Sequence, residues 1–208
     1  MTAGATPEER ETKLTVADDF TMPGLDALPG VTADDEGERQ LDAVYWDSDD
    51  LRLAHAGVGL RHRNGVWTFK GRSRRDGDAV VREEIEVAAR GDAIPVPLSA
   101  RVAMCCDPAS LHPVAVVRTR RHTWRVSRGG ASAEVVHDRA VVHSADGAAV
   151  HSFTEVEVEA DAAGAGLADA VAALLVARGA AVDTTPKYIR ALRALGYDPP
   201  PVMDTSSG

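Results

Sequence analysis

The sequence lacks most of what would make it a metal-finger, secreted or membrane protein. Only two cysteines occur in 208 residues, and Cys105 and Cys106 are adjacent. Neighbouring cysteines rarely meet the separation and dihedral that a disulfide requires. With no CxxC pair, they read as reduced thiols of a cytoplasmic protein. The seven histidines show no zinc-type spacing. No run approaches the length of about eighteen apolar residues that a membrane-spanning helix needs. The N-terminal stretch has neither the basic nor the apolar segment of a signal peptide. Basic charge is scarce: 23 Lys and Arg against 32 Asp and Glu leave a net charge of −9. That balance argues against nucleic acid as a partner, although a local basic pocket remains compatible with it. Gly57-Val58-Gly59 lacks the lysine and further glycine of a phosphate loop and reads as a turn. No repeat of solenoid length and no low-complexity block occurs.

What is present is a succession of short alternating segments broken by Gly, Asp and Pro. Strands are expected at 8–17, 38–47, 57–64, 65–71, 79–88, 114–120, 122–128, 131–138, 140–145 and 151–160. Asn64-Gly65 is a tight-hairpin signal, and Arg128-Gly129-Gly130 and Asp146-Gly147 mark two further turns. Helices are few. A turn or two is expected at 22–28 and a short helix at 98–104. The run 165–179 ends on Arg178-Gly179, and 186–195 begins with Pro186. The length suits one domain over 8–198, between a disordered leader at 1–7 and a disordered tail at 199–208.

The period-two faces of these strands are unusual. Glu9, Glu11 and Lys13 share one face. So do Arg61 with Arg63, Thr68 with Lys70, Arg82 with Glu84 and Glu86, and Arg118 with Arg120. Glu134 aligns with Asp138, and Glu155 with Glu157 and Glu159. Opposite faces carry Leu60, Trp67, Phe69, Val81, Ile85, Val156 and Val158. A sheet with one wet face is the ordinary reading of such alternation. Here, however, several strands are purely cationic and others purely anionic, and like charges two residues apart repel unless something lies between them. A closed barrel of about eight strands with its charged face inward would place an anion and hard metal ions between them. By the same parity His62, His122, Trp67 and Trp124 look outward, where helices must cover the apolar wall.

Taken in order, the segments resemble the CYTH domain, the superfamily of triphosphate tunnel metalloenzymes. The resemblance rests on Glu9-Arg10-Glu11-Thr12-Lys13, Leu60-Arg61-His62-Arg63, Trp67-Thr68-Phe69-Lys70, Arg82-Glu83-Glu84-Ile85-Glu86, Arg118-Thr119-Arg120, Glu155-Val156-Glu157-Val158-Glu159 and Lys187-Tyr188. Leu41–Asp47 followed by Leu51-Arg52-Leu53 is most similar to the bacterial branch often fused to a CHAD domain. Pro186 departs from the family, which usually has Ser before the lysine. The resemblance implies a mainly β, α+β fold: an eight-stranded antiparallel barrel, with a few flanking helices, around a triphosphate-binding tunnel. It implies phosphate contacts from Lys13, Arg61, Arg63, Lys70, Arg82, Arg118, Arg120 and Lys187. It implies Mg²⁺ or Mn²⁺ held by Glu9, Glu11, Glu86, Glu134, Asp138, Glu155 and Glu157, with Lys13 or Glu84 assisting proton transfer at the reactive water. The expected reaction is hydrolysis of tripolyphosphate. Thiamine triphosphate hydrolysis, ATP cyclisation and non-catalytic polyphosphate binding are the competing readings. The expected partner is a small triphosphate, with no nucleic acid and no membrane, and a homodimer is compatible with the sequence.

Overall fold

Backbone hydrogen bonds in the computed structural model divide the described residues, 8–144 and 146–199, into ten strands and four helices. In chain order these are β1 (Glu8–Thr15), β2 (Thr32–Asp47), α1 (Arg52–His55), β3 (Gly59–Arg63), β4 (Val66–Lys70), β5 (Arg74–Asp76), β6 (Ala79–Ala88), α2 (Val96–Val102), β7 (His112–Arg128), β8 (Ala131–His143), β9 (Ala149–Ala160), α3 (Ala165–Val176), β10 (Ala181–Val182) and α4 (Lys187–Ala194). Single 3₁₀ turns lie at Leu25–Ala27 and Pro108–Ser110. The expected leader lies outside the described residues, as does the expected tail except for Pro199, which is buried. The side chains of Glu8 and Glu9 are also outside them.

Turn chemistry sets the pairing. Asn64 and Gly65 both take positive φ, 50° and 80°, the backbone twist that suits a two-residue hairpin. β3 and β4 accordingly pair antiparallel with Arg63 opposite Val66. Gly129 and Gly130 do the same between β7 and β8, with Arg128 opposite Ala131. The sheet order β1-β9-β8-β7-β2-β3-β4-β6 closes because β6 pairs back onto β1, Glu9 opposite Arg82. The result is an eight-stranded antiparallel barrel, all of whose pairings are antiparallel, with β5 and β10 added at its edges.

Two expected interruptions are absent. The segments 114–120 and 122–128 form one seventeen-residue strand, β7, and 131–138 and 140–145 merge into β8. β2 starts at Thr32 rather than at 38. The turn α1 and the short strands β5 and β10 had no signal in the sequence. The four expected helical stretches all appear, the first as the single turn Leu25–Ala27.

The outer wall of the barrel is apolar and covered on two sides. Leu167, Ala168, Val171 and Leu175 of α3 seat on Leu14, Val126, Val135, Val156 and Val158. Leu98 and Val102 of α2, with Leu53 of α1, seat on Trp46, Leu60, Trp67 and Phe69. Leu175 is fully buried, so Leu175→Ala should cost about 2–5 kcal/mol. His62 stacks on Trp67 at 4.8 Å and His122 on Trp124 at 4.0 Å, on that outer side as expected.

α4 does something different. Tyr188, Ile189, Ala191 and Leu192 pack on Ala43, Tyr45, Ala115, Val117, Ala140, Val142 and Phe153. Val117, Ala140 and Phe153 share the inward face of their strands with Arg121, Asp138 and Glu155. The helix therefore plugs one end of the bore, and the interior changes from apolar at that end to ionic above it. No helix among the described residues is long and apolar enough to cross a membrane.

Candidate active site

Inward alternation brings side chains from all eight barrel strands around one cavity of about 620 Å³. Lys13, Arg39, Arg61, Arg63, Lys70, Arg82, Arg121 and Lys187 line it, together with Glu84, Glu86, Glu134, Asp138, Glu157 and Glu159. Glu11 and Glu155 stand in the same wall, both buried.

The deepest feature is a carboxylate nest. Ligand oxygens of Asp138, Glu155 and Glu157 lie within 4.8 Å of one another, from neighbouring strands β8 and β9. Three cations hold them together. Lys13 contacts Glu157 and lies 3.0 Å from Glu11 Oε1 and 3.1 Å from Glu155 Oε1. Lys187 contacts Glu155 and lies 2.7 Å from Asp138 Oδ2 and 2.9 Å from Glu157 Oε1. Arg121 grips Asp138 with two bonds, at 2.8 and 2.6 Å, and donates to Glu157 Oε2 at 2.9 Å. Burial alone would push Glu157 up, but Lys13, Lys187 and Arg121 outweigh it and hold the carboxyl well below its usual range. Asp138 is lowered in the same way, against burial, by Lys187 and Arg121. Burial would likewise lower Lys13, yet Glu11, Glu155 and Glu157 raise it well above an ordinary lysine. Glu157, Asp138 and Lys13 are therefore ionised at neutral pH.

Around the nest the wall is more open. Arg82 donates to Glu11 Oε2 at 2.7 Å. Lys70 pairs with Glu84 at 2.8 Å, and Arg61 reaches Thr68 at 3.1 Å with Glu84 and Glu86 at 3.8 Å. Glu134 accepts from Arg125 at 3.3 Å. Arg39 and Arg63 have no ion pair among the described residues. Burial, with the guanidinium groups of Arg61 and Arg121, pulls Arg63 down to about 10. A half-buried cation crowded by other cations marks a place where an anion would be stabilised.

The oxygen-only donor set of Asp138, Glu155 and Glu157 suits a hard divalent ion. Glu155 Oε2 supports that fit: it is buried without a hydrogen-bond partner, with Arg190 3.7 Å away.

Of the residues expected at the site, thirteen converge on the bore: Glu11, Lys13, Arg61, Arg63, Lys70, Arg82, Glu84, Glu86, Glu134, Asp138, Glu155, Glu157 and Lys187. Glu9 sits opposite Arg82 in the ladder, and its side chain is outside the described residues. Two expectations need correcting. Arg118 and Arg120 face outward, largely exposed, against Asp42 at 3.8 Å and Glu38 at 3.1 Å. The reason is α4: it makes the inward face of lower β7 apolar, so there the charged side chains take the outside. In their place the bore receives Arg121 and Arg39, which face each other across the β2–β7 ladder. An unbroken strand through Arg121 would have put it in phase with Val117 and Thr119, whereas Arg39 already lay inside the expected strand 38–47, on the otherwise apolar face of Leu41, Ala43 and Tyr45. The two cysteines stay apart from the site as half-buried free thiols, their pKa values pushed up by burial.

The family model of the CYTH domain matches residues 8–191. The chain belongs to the CYTH domain family. Solved structures agree on the fold. A Hippeastrum protein named as an adenylyl cyclase, and described as having a dominant triphosphatase activity, is 16% identical over 91% of this chain and 96% of its own, with a TM-score of 0.59. A Bacillus halodurans protein named as an adenylate cyclase is 18% identical over 86% and 95%, TM-score 0.54. A Pyrococcus horikoshii protein is 14% identical over 89% and 98%, TM-score 0.53. No curated protein matches the sequence significantly.

This CYTH domain has a second chamber of about 210 Å³ beside the bore. The two share Tyr45, Arg61, Lys70, Arg82, Pro186 and Tyr188. Ala54, Ala56, Gly57, Val58, Gly59 and Ile189 make its walls mainly apolar.

Proposed function

We propose that this CYTH domain hydrolyses inorganic tripolyphosphate to pyrophosphate and phosphate with Mg²⁺ or Mn²⁺. One observation carries the reading: eight basic side chains converge on a bore whose far wall is a nest of buried carboxylates. Lys13, Arg39, Arg61, Arg63, Lys70, Arg82, Arg121 and Lys187 would grip phosphate oxygens, the guanidinium groups by paired hydrogen bonds. Asp138, Glu155 and Glu157, with Glu11 behind them, would hold the metal. When bound, the ion neutralises charge on the phosphoryl oxygens and lowers the pKa of a water. Water attacks the terminal phosphorus, the bridging P–O bond breaks, and pyrophosphate leaves with the electron pair. Lys13 is held as an ammonium and cannot accept the proton of that water; Glu84, in the more open wall, can.

Phosphate release from tripolyphosphate, thiamine triphosphate and ATP with each metal tests this. Tripolyphosphate should be the best substrate, and Glu11→Gln should abolish release while the far-ultraviolet circular dichroism is unchanged. Tight binding without release would make the domain a polyphosphate-binding module. The apolar side chamber favours a second reading, in which the triphosphate carries an organic group lodged beside Tyr45 and Tyr188. Faster release from thiamine triphosphate or ATP would select it.

A further inference from the structure

Lys187 reaches the carboxylate nest from the first residue of α4, a helix of eight residues. One tie is local: Arg190, one turn into the helix, donates to Asp183 Oδ2 at 2.6 Å. Pro186, the N-cap, brings no side-chain hydrogen bond and no N–H. A second hold comes from the residue after Lys187. Tyr188 is buried, its ring stacks on Tyr45 at 5.2 Å and 17°, and its hydroxyl donates to Asp47 Oδ2. Asp47 ends β2 and is completely buried. Its Oδ1 accepts from Ser48 N and Leu53 N, both at 2.8 Å, and its Oδ2 from Ala54 N at 3.0 Å. Three backbone donors, Ser48 N beside it and two from α1, thus make the carboxylate a fixed post.

We propose that Asp47 and Tyr188 are positioning residues that hold α4 so that Lys187 lies in the nest of Asp138, Glu155 and Glu157. Neither residue belongs to that nest, and each acts through Lys187. The consequence for the reaction rests on the function proposed above; the positioning itself does not.

Tyr188→Phe is a clean probe. It keeps the stacked ring and removes one donor, while Asp47 Oδ2 retains Ala54 N, so no buried group is left without a partner. The chain has only three lysines, Lys13, Lys70 and Lys187, so acylation of the native protein by an amine reagent, read by mass spectrometry, resolves each. In Tyr188→Phe, Lys187 should be modified about tenfold faster, the size expected for losing a hydrogen bond to a charged group. Lys13, buried in the same nest from a strand, should keep its wild-type rate. An unchanged Lys187 rate would overturn the proposal, and so would parallel acceleration of Lys13, which would mean general loosening. A second arm measures tripolyphosphate affinity in Tyr188→Phe, Lys187→Met and the double variant. Tyr188→Phe should weaken binding in the wild-type background and add nothing to Lys187→Met. Additive losses would overturn coupling through Lys187. Failure of the wild type to bind tripolyphosphate would count against the proposed function instead, and the labelling rates would still decide the positioning.

Discussion

Arg120 and Arg121 are neighbours in the chain and live in different solvents. Arg120 leans over the outside of β7 toward Glu38, half exposed. Arg121 points into the bore, is buried, and makes three charge-assisted hydrogen bonds to Asp138 and Glu157. An exposed ion pair contributes little, because water already solvates both partners. A buried one contributes little net stability either, but removing half of it leaves a charge with nothing to solvate it. The outer wall of this barrel therefore tolerates charge, whereas the inner wall depends on charge balance.

The sharpest way to break that contrast is to remove each arginine in turn. Arg121→Ala strips one cationic partner from each of two buried carboxylates and should destabilise the domain by about 3–5 kcal/mol, or leave it unfolded at assay temperature. Denaturant midpoints measured on the two variants give the comparison directly. A loss below about 1 kcal/mol for Arg121→Ala would show that water reaches the nest freely.

Acid should discriminate the two walls next. Glu157, Glu11 and Asp138 are each held below their usual values of 4.5, 4.5 and 3.8. A carboxyl lowered in the folded state stabilises fully above its unfolded value and loses that contribution as pH falls through the folded one. Lys13, raised above its usual 10.5, contributes fully below that value and is lost only as pH climbs past its folded one. The nest's own contribution to the melting temperature should thus be flat from about pH 5 to about pH 10 and fall steeply on the acid side. Glu157→Gln should flatten the acid limb; Glu38→Gln, on the exposed pair, should not.

How much of this contrast could be read from the sequence depends on which wall is considered. Where a strand is ionic inside and apolar outside, period two assigns every side chain, and β1, β3, β4, β6 and β9 come out in phase. The barrel follows from those strands. The upper half of the bore follows as well. The plug does not. α4 fills the lower bore with Tyr188, Ile189 and Leu192, which inverts the rule there: Val117 points in, and Arg118 and Arg120 point out. Composition of a single strand cannot announce that a helix nearly seventy residues later will occupy its inner face. Arg121 was hidden by the same effect, since charge on both sides of β7 looks like a break between two strands.

Arg63 sharpens the comparison from the ligand side. It faces the bore without a carboxylate, and burial beside Arg61 and Arg121 lowers its pKa. Losing it should relieve repulsion in the ligand-free protein, so Arg63→Ala should melt no lower than wild type. Its tripolyphosphate affinity should nevertheless fall by about ten- to a hundredfold, the range for a charge-assisted hydrogen bond. Calorimetric titration paired with a thermal melt tests both halves, and equal affinity would move Arg63 out of the phosphate site.

The smallest effect belongs to the outer arginines. Arg118 faces Asp42 at 3.8 Å with both side chains more than half exposed, and Arg120 faces Glu38 across water-accessible surface. Exposed pairs of this kind are screened by salt and contribute less than about 1 kcal/mol. Arg118→Ala and Arg120→Ala should therefore leave the denaturant midpoint, phosphate release and tripolyphosphate affinity within error of wild type, at low salt and high. The double variant should match as well, because the two pairs share no partner. A tenfold loss of affinity in either would mean that these side chains reach the ligand around the rim of β7, and the division between inner and outer walls would no longer describe the site.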